Sequence, residues 1–271
     1  MLVKISDDFD IEKIIDSGQC LRPCRVDFKD DTFRFITGKN VLYISKTSDP
    51  VMYDVSCDED IWRDVWVPYF DLDNDYSHLM NSAKGDVYMQ ECICASRGIR
   101  ILRQDKFEML ISFIISQRKS IPAIRSSIEK LCLNFGERIK TEYEEIYLFP
   151  QSRVLSGADM DILATCGLGY RLPYIIEASK YVNSENDLLE KFELLDDTAL
   201  FSKLIGLKGV GTKVANCVML FAYHRTKRAP VDVWIARVIE EQYKGINPFD
   251  AYGNEAGIMQ QFVFYHRRLF E

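Results

Sequence analysis

The sequence contains no apolar run that approaches the roughly 20 residues a membrane-spanning helix requires. Its first residues, Met-Leu-Val-Lys-Ile-Ser-Asp-Asp, lack the apolar core and the cleavage site of a signal peptide. We therefore expect a cytoplasmic protein. The eight cysteines are then expected to be free thiols, because disulfides are rare in that compartment.

Zinc-binding spacing is also missing from the sequence. The pairs Cys20/Cys24 and Cys92/Cys94 are not backed by a second pair, and only three histidines are present. Internal repeats and low-complexity tracts are absent as well. What remains is the composition of a globular chain, since 47% of its residues are hydrophobic, enough to support a full core.

An excess of positive charge is the third feature that the chain lacks. The formal net charge of −7, taken alone, argues against nucleic acid as a partner. The charge is unevenly distributed, however: residues 51–90 hold nine acidic and two basic side chains, whereas residues 201–240 hold seven basic and two acidic ones. This distribution fits a protein that meets a phosphate backbone on one side only. Ordinary solvated helix faces would explain it equally well.

The pattern of apolar residues divides the chain into a β-rich and an α-rich part. Strands are predicted at 21–28, 32–36, 41–45 and 51–55, and a helix at 60–69. From about residue 77 the periodicity is helical almost to the end, with helices at 107–116, 121–135, 174–183, 197–205, 212–223, 233–243 and 257–269. We predict an α+β fold with an antiparallel β-rich N-terminal domain and its flanking helices over 1–98. An α-helical domain is predicted over 99–271, with two helices joined by a tight turn at about 199–224.

A Gly-Val-Gly turn joins those two helices in the stretch from Leu204 to Val218. Gly209 and Gly211 can take positive φ and let another backbone come close, and Thr212 can cap the helix that follows. Lys213 then falls in the first turn of that helix, where the positive helix end and burial both favour the neutral, reactive amine.

Six segments stand in a fixed order along the chain: Ser17-Gly-Gln-Cys-Leu-Arg22, Tyr69-Phe-Asp-Leu-Asp73, Phe113-Ile-Ile-Ser-Gln117, Gly167-Leu-Gly-Tyr-Arg171, Leu207-Lys-Gly-Val-Gly-Thr-Lys213 with Pro230-Val-Asp232, and Gln260-Gln-Phe-Val-Phe264. Together they resemble the 8-oxoguanine DNA glycosylase/lyase family of the helix-hairpin-helix, Gly/Pro-Asp base-excision superfamily. A lone hairpin motif would be weak, because many DNA-binding proteins carry one. The resemblance covers nearly the whole chain.

The resemblance implies a base-excision repair enzyme that is both a DNA glycosylase and an apurinic/apyrimidinic (AP) lyase. Its partner would be double-stranded DNA that contains an oxidised purine. We expect a monomer without a membrane partner, associated with the nucleoid if the source is bacterial.

Lys213 is the candidate nucleophile. A lysine amine that attacks C1′ expels the base and leaves an imine, which acidifies the C2′ proton and permits β-elimination; water cannot provide this second step. A phosphate-binding lysine is the alternative role. Asp232 follows a proline and starts a helix, as an N-cap aspartate does. The resemblance gives it a catalytic role as well, in which the carboxylate stabilises positive charge on the sugar and assists proton transfer.

The resemblance implies four base-recognition residues: Gly18, Cys217, Gln260 and Phe264. Damaged guanine carries an N–H donor at N7, so a backbone carbonyl at Gly18, which cannot donate, would discriminate it from guanine. Cys217 lies one turn beyond Lys213 on the same helical face, and in the family the matching cysteine and phenylalanine sandwich the everted base while the matching glutamine reads its edge. An ordinary turn, core packing and surface solvation are the alternative roles of these residues.

The resemblance implies that the pair Tyr170 and Arg171 wedges into the duplex and contacts the base opposite the lesion. Arg118 stands at the position where the family has an asparagine that fills the gap in the duplex. This chain departs from the pattern of the eukaryotic members, because the position of a second reading arginine falls on Ala123. We therefore expect a weaker preference for cytosine opposite the lesion.

Contacts to the DNA backbone are expected from Lys208, Gly209, Gly211 and Trp234, since exposed amides at a helix start suit a phosphate group. Hairpins of this kind often hold a monovalent or calcium-like cation, here through the carbonyls of Ile205, Leu207 and Val210, which leave no side-chain signature. No other cofactor is expected. The four-cysteine iron–sulfur loop of some related glycosylases is excluded, because Cys217 is the last cysteine.

Two other functions remain open at this level. An alkylated-base glycosylase is one, because Ser116-Gln117 resembles that branch, whose members generally use the aspartate with water and lack the lysine. A non-catalytic DNA-binding module of hairpin type is the other, and in it Asp232 and Gln260 would be dispensable.

Overall fold

A computed structural model of the protein describes residues 1–270, which form two compact units. The first unit contains Met1–Phe35, Leu42–Arg103 and the chain from His224 onward, and the second contains Ile36–Val41 and Gln104–Tyr223. The predicted division of the chain at residues 98 and 99 stays a prediction about domains. No helix among the described residues combines the length and the apolar character needed to cross a membrane.

The first unit contains most of a five-stranded antiparallel sheet with the order β1-β5-β4-β3-β2, of which Ile36–Val41 is assigned to the second unit. Its strands are β1 Leu2–Lys4, β2 Cys24–Arg25, β3 Thr32–Thr37, β4 Asn40–Lys46 and β5 Met52–Val55. Apolar side chains of the sheet form one core with aromatic residues of the following helix; the rings of Phe35 and Phe70, for example, meet edge to face at 5.0 Å.

The helices of this unit are α1 Ile11–Asp16, α2 Glu59–Ile61, α3 Val67–Tyr69, α4 Leu79–Ser82, α5 Val87–Ser96, α14 Val233–Tyr243 and α15 Ala256–Leu269, with a 3₁₀ segment at Phe249–Glu255. Helices α2 and α3 are joined by a π-helical turn, Trp62–Trp66, so the predicted helix at 60–69 is present. Val67 donates its N–H to the carbonyl of Trp62, five residues back, next to Pro68, which has no N–H to donate.

The second unit is mostly helical. Its helices are α6 Lys106–Ser116, α7 Ile121–Phe135, α8 Ser152–Ser156, α9 Met160–Thr165, α10 Leu172–Val182, α11 Leu188–Phe192, α12 Asp197–Ile205 and α13 Thr212–Phe221, with a 3₁₀ turn at Gly169–Arg171. An antiparallel β-sheet with a mostly helical C-terminal part is the α+β fold that the sequence predicts, and the structure confirms it.

Two sequence-based expectations about secondary structure were wrong. The predicted strand at 21–28 is reduced to β2, because Pro23 interrupts it and the preceding residues form a buried loop. The helical periodicity after residue 77 is interrupted by a β-hairpin, β6 Arg138–Lys140 and β7 Glu145–Tyr147, in which Ile139 pairs with Ile146. Strands this short carry too little alternation to be recognised in a sequence. Strand β1 and the helices α1, α4, α5, α8, α9 and α11 were not predicted either.

Candidate functional site

The turn between α12 and α13 follows the predicted hairpin only in part. Gly209 has φ +82°, as expected, and a Cβ on it would lie 2.4–2.8 Å from atoms of the Tyr174 side chain. Gly211 is instead extended, with φ −91° and ψ 178°, and it forms the N-cap of α13. Thr212 is therefore the first helical residue and not the cap, and no side chain caps this helix. The first amides of α13 thus lack intrahelical partners.

Lys213 is the second residue of α13 and is partly buried. Its Nζ lies 5.2 Å from the centroid of the Phe113 ring, and that ring stacks on Phe221 at 5.6 Å with an interplanar angle of 16°. The aromatic side chains of α6 and α13 thus pack beside the amine and hold it in place. Cys217 follows one turn later and is buried.

The loop around Gly18 and helix α15 are connected directly within the first unit. Gly18 has φ +81°, and Gln261 donates from Nε2 to the carbonyl of the preceding residue, Ser17, at 2.7 Å. Gln260, next to it on α15, is 4% exposed, and its Oε1 accepts no hydrogen bond from any described residue. The structure thus brings the Gly18 loop and the Gln260 segment together. Phe264 is partly buried one turn further along α15.

Gln261 and Gln19 were not predicted as residues that hold this site. Gln19 is buried; its Nε2 donates to the carbonyl of Arg100 at 2.8 Å, and its Oε1 accepts from the N–H of Leu102 at 2.9 Å. Both glutamines lie inside the motif segments, and this position was the only feature of the sequence that pointed to them. The sequence does not show which groups their side-chain amides bond.

Asp232 is the N-cap of α14, where its Oδ1 accepts hydrogen bonds from the N–H groups of Trp234 at 3.0 Å and Ile235 at 2.9 Å. Capping is therefore observed, and a further role in chemistry stays a prediction. The carboxylate is partly buried, and so is the indole of Trp234, over which the Arg237 guanidinium lies 5.6 Å from the ring centroid.

Arg118, Tyr170 and the turn glycines line one shallow depression of about 430 Å³ in the second unit, together with Gln117, Tyr174 and Val210. Arg118 is exposed and has φ +49°. Tyr170 is 53% exposed, whereas Arg171 is 7% exposed and donates to the backbone carbonyls of Leu168 and Gln117.

Lys119 makes a second connection between these segments, since its Nζ donates to Ser127 and, at 2.8 Å, to the carbonyl of Gly167. Burial and the positive charges of Arg171 and Lys130 lower the pKa of Lys119.

A buried carboxylate in the first unit was not singled out from the sequence. Asp71, within the Tyr69–Asp73 motif, is fully buried with φ +55°, and it accepts from Asn74 at 2.7 Å and Tyr76 at 2.9 Å. His224 Nε2 lies 3.2 Å from its Oδ2. Burial by itself raises the pKa of Asp71, but the contact with His224 and the hydrogen bonds from Asn74 and Tyr76 hold it below its usual range.

The three carbonyls expected to hold a cation differ in their partners. The carbonyl of Leu207 accepts from the N–H of Val210 at 3.0 Å, whereas those of Ile205 and Val210 accept no hydrogen bond from a described residue. Two of the three carbonyls thus have no hydrogen-bond donor among the described residues, and the cation stays a prediction. Lys208 forms an exposed ion pair with Glu177 at 2.9 Å.

Comparison with known proteins assigns both halves of the chain. Residues 1–110 match the model of the 8-oxoguanine DNA glycosylase N-terminal domain, and residues 111–252 match that of the HhH-GPD superfamily base excision DNA repair proteins. A probable N-glycosylase/DNA lyase of Methanothermobacter thermautotrophicus is 31% identical over 228 residues, which cover 73% of this chain and 71% of that protein. The chain belongs to the 8-oxoguanine DNA glycosylase family.

Solved structures of this 8-oxoguanine DNA glycosylase family have the same fold. The structure of MBOgg1 in complex with a low-affinity DNA ligand has a TM-score of 0.92 at 32% identity, covering 99% of this chain and 95% of that one. The 8-oxoguanine glycosylase/lyase of Clostridium acetobutylicum, in complex with double-stranded DNA containing cytosine opposite 8-oxoguanine, has a TM-score of 0.88 at 27% identity, covering 100% and 98%.

Proposed function

We propose that this glycosylase excises 8-oxoguanine from duplex DNA and then cleaves the strand at the abasic site, with Lys213 as the nucleophile. The observation that carries the proposal is the placement of a partly buried lysine in the first turn of α13, directly after the hairpin and over an aromatic ring, in a chain of this family. The relatives that are named N-glycosylase/DNA lyase support the same pair of activities.

The reaction proceeds in two steps. The neutral Lys213 amine bonds to C1′ while the glycosidic bond breaks, and the base leaves with the bonding electrons and takes up a proton. Loss of a proton from nitrogen and opening of the sugar give an imine between Nζ and C1′. The imine acidifies the C2′ proton, which a proton acceptor then removes. The electrons of the C2′–H bond form a C2′–C3′ double bond as the 3′ phosphate leaves.

Asp232 assists these steps in the proposal. Its cap hydrogen bonds use Oδ1, so Oδ2 can accept a proton or stabilise positive charge on the sugar. Gly18, Cys217, Gln260 and Phe264 are proposed to bind the everted base. The buried Oε1 of Gln260, which has no partner among the described residues, supports an acceptor role toward a ligand.

Arg171 is proposed to contact the base opposite the lesion, while Tyr170 wedges into the duplex. Arg118 is proposed to lie beside them. The preference for cytosine is relaxed, because Ala123 stands where a second reading arginine is expected. Excision rates from four duplexes that differ only in the base opposite 8-oxoguanine test this point, and strict dependence on cytosine would refute it.

The duplex backbone is proposed to contact Lys208, Gly209, Gly211 and Trp234, and the carbonyls of Ile205, Leu207 and Val210 would hold a cation that stiffens the hairpin. No iron–sulfur cluster is proposed. We further propose that the protein acts as a monomer.

Borohydride trapping tests the nucleophile. Reduction of the imine should link the wild-type chain covalently to 8-oxoguanine duplex DNA, and Lys213→Gln should abolish the adduct, because an amide nitrogen does not form the imine. Lys208→Gln is the matched control: it lies in the same hairpin, is exposed, and should weaken DNA binding while an adduct still forms at saturating protein.

The same experiment separates the other two functions. An alkylated-base glycosylase that uses the aspartate with water would give no trapped adduct with the 8-oxoguanine duplex, but it would release the base from a duplex that carries an alkylated base. A non-catalytic DNA-binding module would give neither a released base nor an abasic product.

A further inference from the structure

Hydrogen bonds in the second unit connect the segment around Arg171 with the hairpin that precedes Lys213. Arg171 Nη2 donates to the backbone carbonyl of Gln117. The side chain of the same Gln117 donates from Nε2 to the carbonyl of Gly209 at 2.9 Å and to that of Ile114, on α6, at 3.0 Å. Gln117 is thus bonded to both segments.

The hairpin end of this connection has little room to move. Gly209 has positive φ, and the Tyr174 side chain packs so closely that a Cβ would collide with it. Tyr174 in turn meets the Tyr170 ring edge to face at 6.2 Å. Gly209 lies four residues before Lys213 in the chain, so a displacement of its peptide also moves the start of α13.

The other end of the connection lies in the proposed reader of the opposite base. The guanidinium of Arg171 is buried and donates to Gln117 and Leu168. An Arg171 side chain that moves out to contact a base edge loses these bonds and releases the backbone of Gln117.

We propose that Gln117 is a positioning residue that couples the contact between Arg171 and the opposite base to the placement of the hairpin and of the Lys213 amine. This inference rests on the proposed function and extends it to how opposite-base recognition reaches the nucleophile. The side-chain amide of Gln117 acts through Gly209, to whose carbonyl it donates.

A double-mutant cycle of Arg171→Met and Gln117→Met tests the coupling, with single-turnover excision from an 8-oxoguanine:cytosine duplex as the readout. Methionine matches the length of glutamine and the aliphatic part of arginine, and in both cases it removes the donors. Each single variant should slow excision about fivefold to tenfold, as expected for the loss of one or two such hydrogen bonds. The double variant should be slowed about tenfold, and not by the product of the two factors.

The cycle includes a control and two further measurements. Ser120→Ala lies in the same segment, is exposed and lacks a side-chain cap hydrogen bond; combined with Arg171→Met, its effect should be multiplicative. Binding to a duplex with an uncleavable abasic analogue should change less than about threefold in Gln117→Met. Thermal unfolding shows whether each variant is folded, and Arg171→Lys replaces Arg171→Met should the latter not fold.

The outcomes separate this inference from the proposed function. Multiplicative effects in the Gln117 cycle, a wild-type rate in Gln117→Met, or an affinity loss equal to the rate loss would overturn the coupling while the wild-type chain still forms its trapped adduct. Failure of the wild-type chain to form any adduct would overturn the proposed function, and the coupling with it.

Discussion

Gly209 is the residue at which backbone conformation and packing limit the site most clearly. Its φ of +82° lies in the left-handed region, and the Tyr174 side chain fills the space that a Cβ would need. The two glycines of the turn look equivalent in the sequence, but Gly211 is extended and has open space around it. The two positions should therefore respond differently to the same substitution.

Gly209→Ala should lower the free energy of unfolding by about 2–4 kcal/mol, because left-handed backbone strain and the collision with Tyr174 add together. It should also weaken duplex binding, since the hairpin must shift. Chemical denaturation and a binding titration measure both effects.

Gly211→Ala is the matched control, and its cost should stay below about 1 kcal/mol, the range for an alanine at an N-cap. Equal losses of stability in the two variants would contradict the assigned turn geometry.

Helix α14 begins at a carboxylate with a visible structural role and a proposed chemical one. Asp232 caps the helix through one oxygen. Asparagine caps a helix about as well as aspartate does, but it cannot take up a proton or carry negative charge. Substitution can therefore separate the cap from the chemistry.

Asp232→Asn should leave the free energy of unfolding within about 0.5 kcal/mol of the wild type, whereas Asp232→Ala should lower it by about 1 kcal/mol. Both variants should slow excision about a hundredfold or more, as expected for the loss of a proton-transfer group. Denaturation curves and single-turnover rates give the two readouts.

Asp159 provides the comparison, because it caps α9 through the same pattern, with bonds to Asp161 N–H at 2.8 Å and Ile162 N–H at 3.2 Å. Asp159→Ala should lose a similar stability and keep the wild-type rate. Full activity in Asp232→Asn would contradict the proposed role in proton transfer and would show that Asp232 only caps α14.

The acid stability of the molecule should depend on Asp71. The pKa of this buried carboxyl is held below its usual range in the folded protein, so its contribution to stability is fully present above the unfolded pKa of about 4 and is lost as the pH falls through the folded pKa. Asp71→Asn should therefore lower the free energy of unfolding by about 1.5–3 kcal/mol at neutral pH.

The difference between wild type and Asp71→Asn should shrink as the pH falls from about 4 toward the lowered folded pKa, because the unfolded chain takes up the proton there before the folded protein does. Unfolding curves over a pH series measure it. A difference that stays constant across the series would show that the charge of Asp71 does not contribute.

At the scale of the molecule, the sequence determined the fold class and the motif residues. The period of apolar residues is local, so it predicted α6, α7, α12 and α14 closely, and a motif such as Leu207–Lys213 identifies the lysine by its neighbours in the chain. The short β6–β7 hairpin was not predicted, because strands of three residues show too little alternation of apolar and polar residues.

Only the tertiary structure decided which of two similar glycines takes positive φ, where the amides of Gln117 and Gln261 donate, and that Asp71 meets His224. Each of these depends on groups far apart in the chain that meet only after packing. A local sequence pattern specifies the residue type at a position, but the partner that satisfies a buried polar group is selected by the fold as a whole.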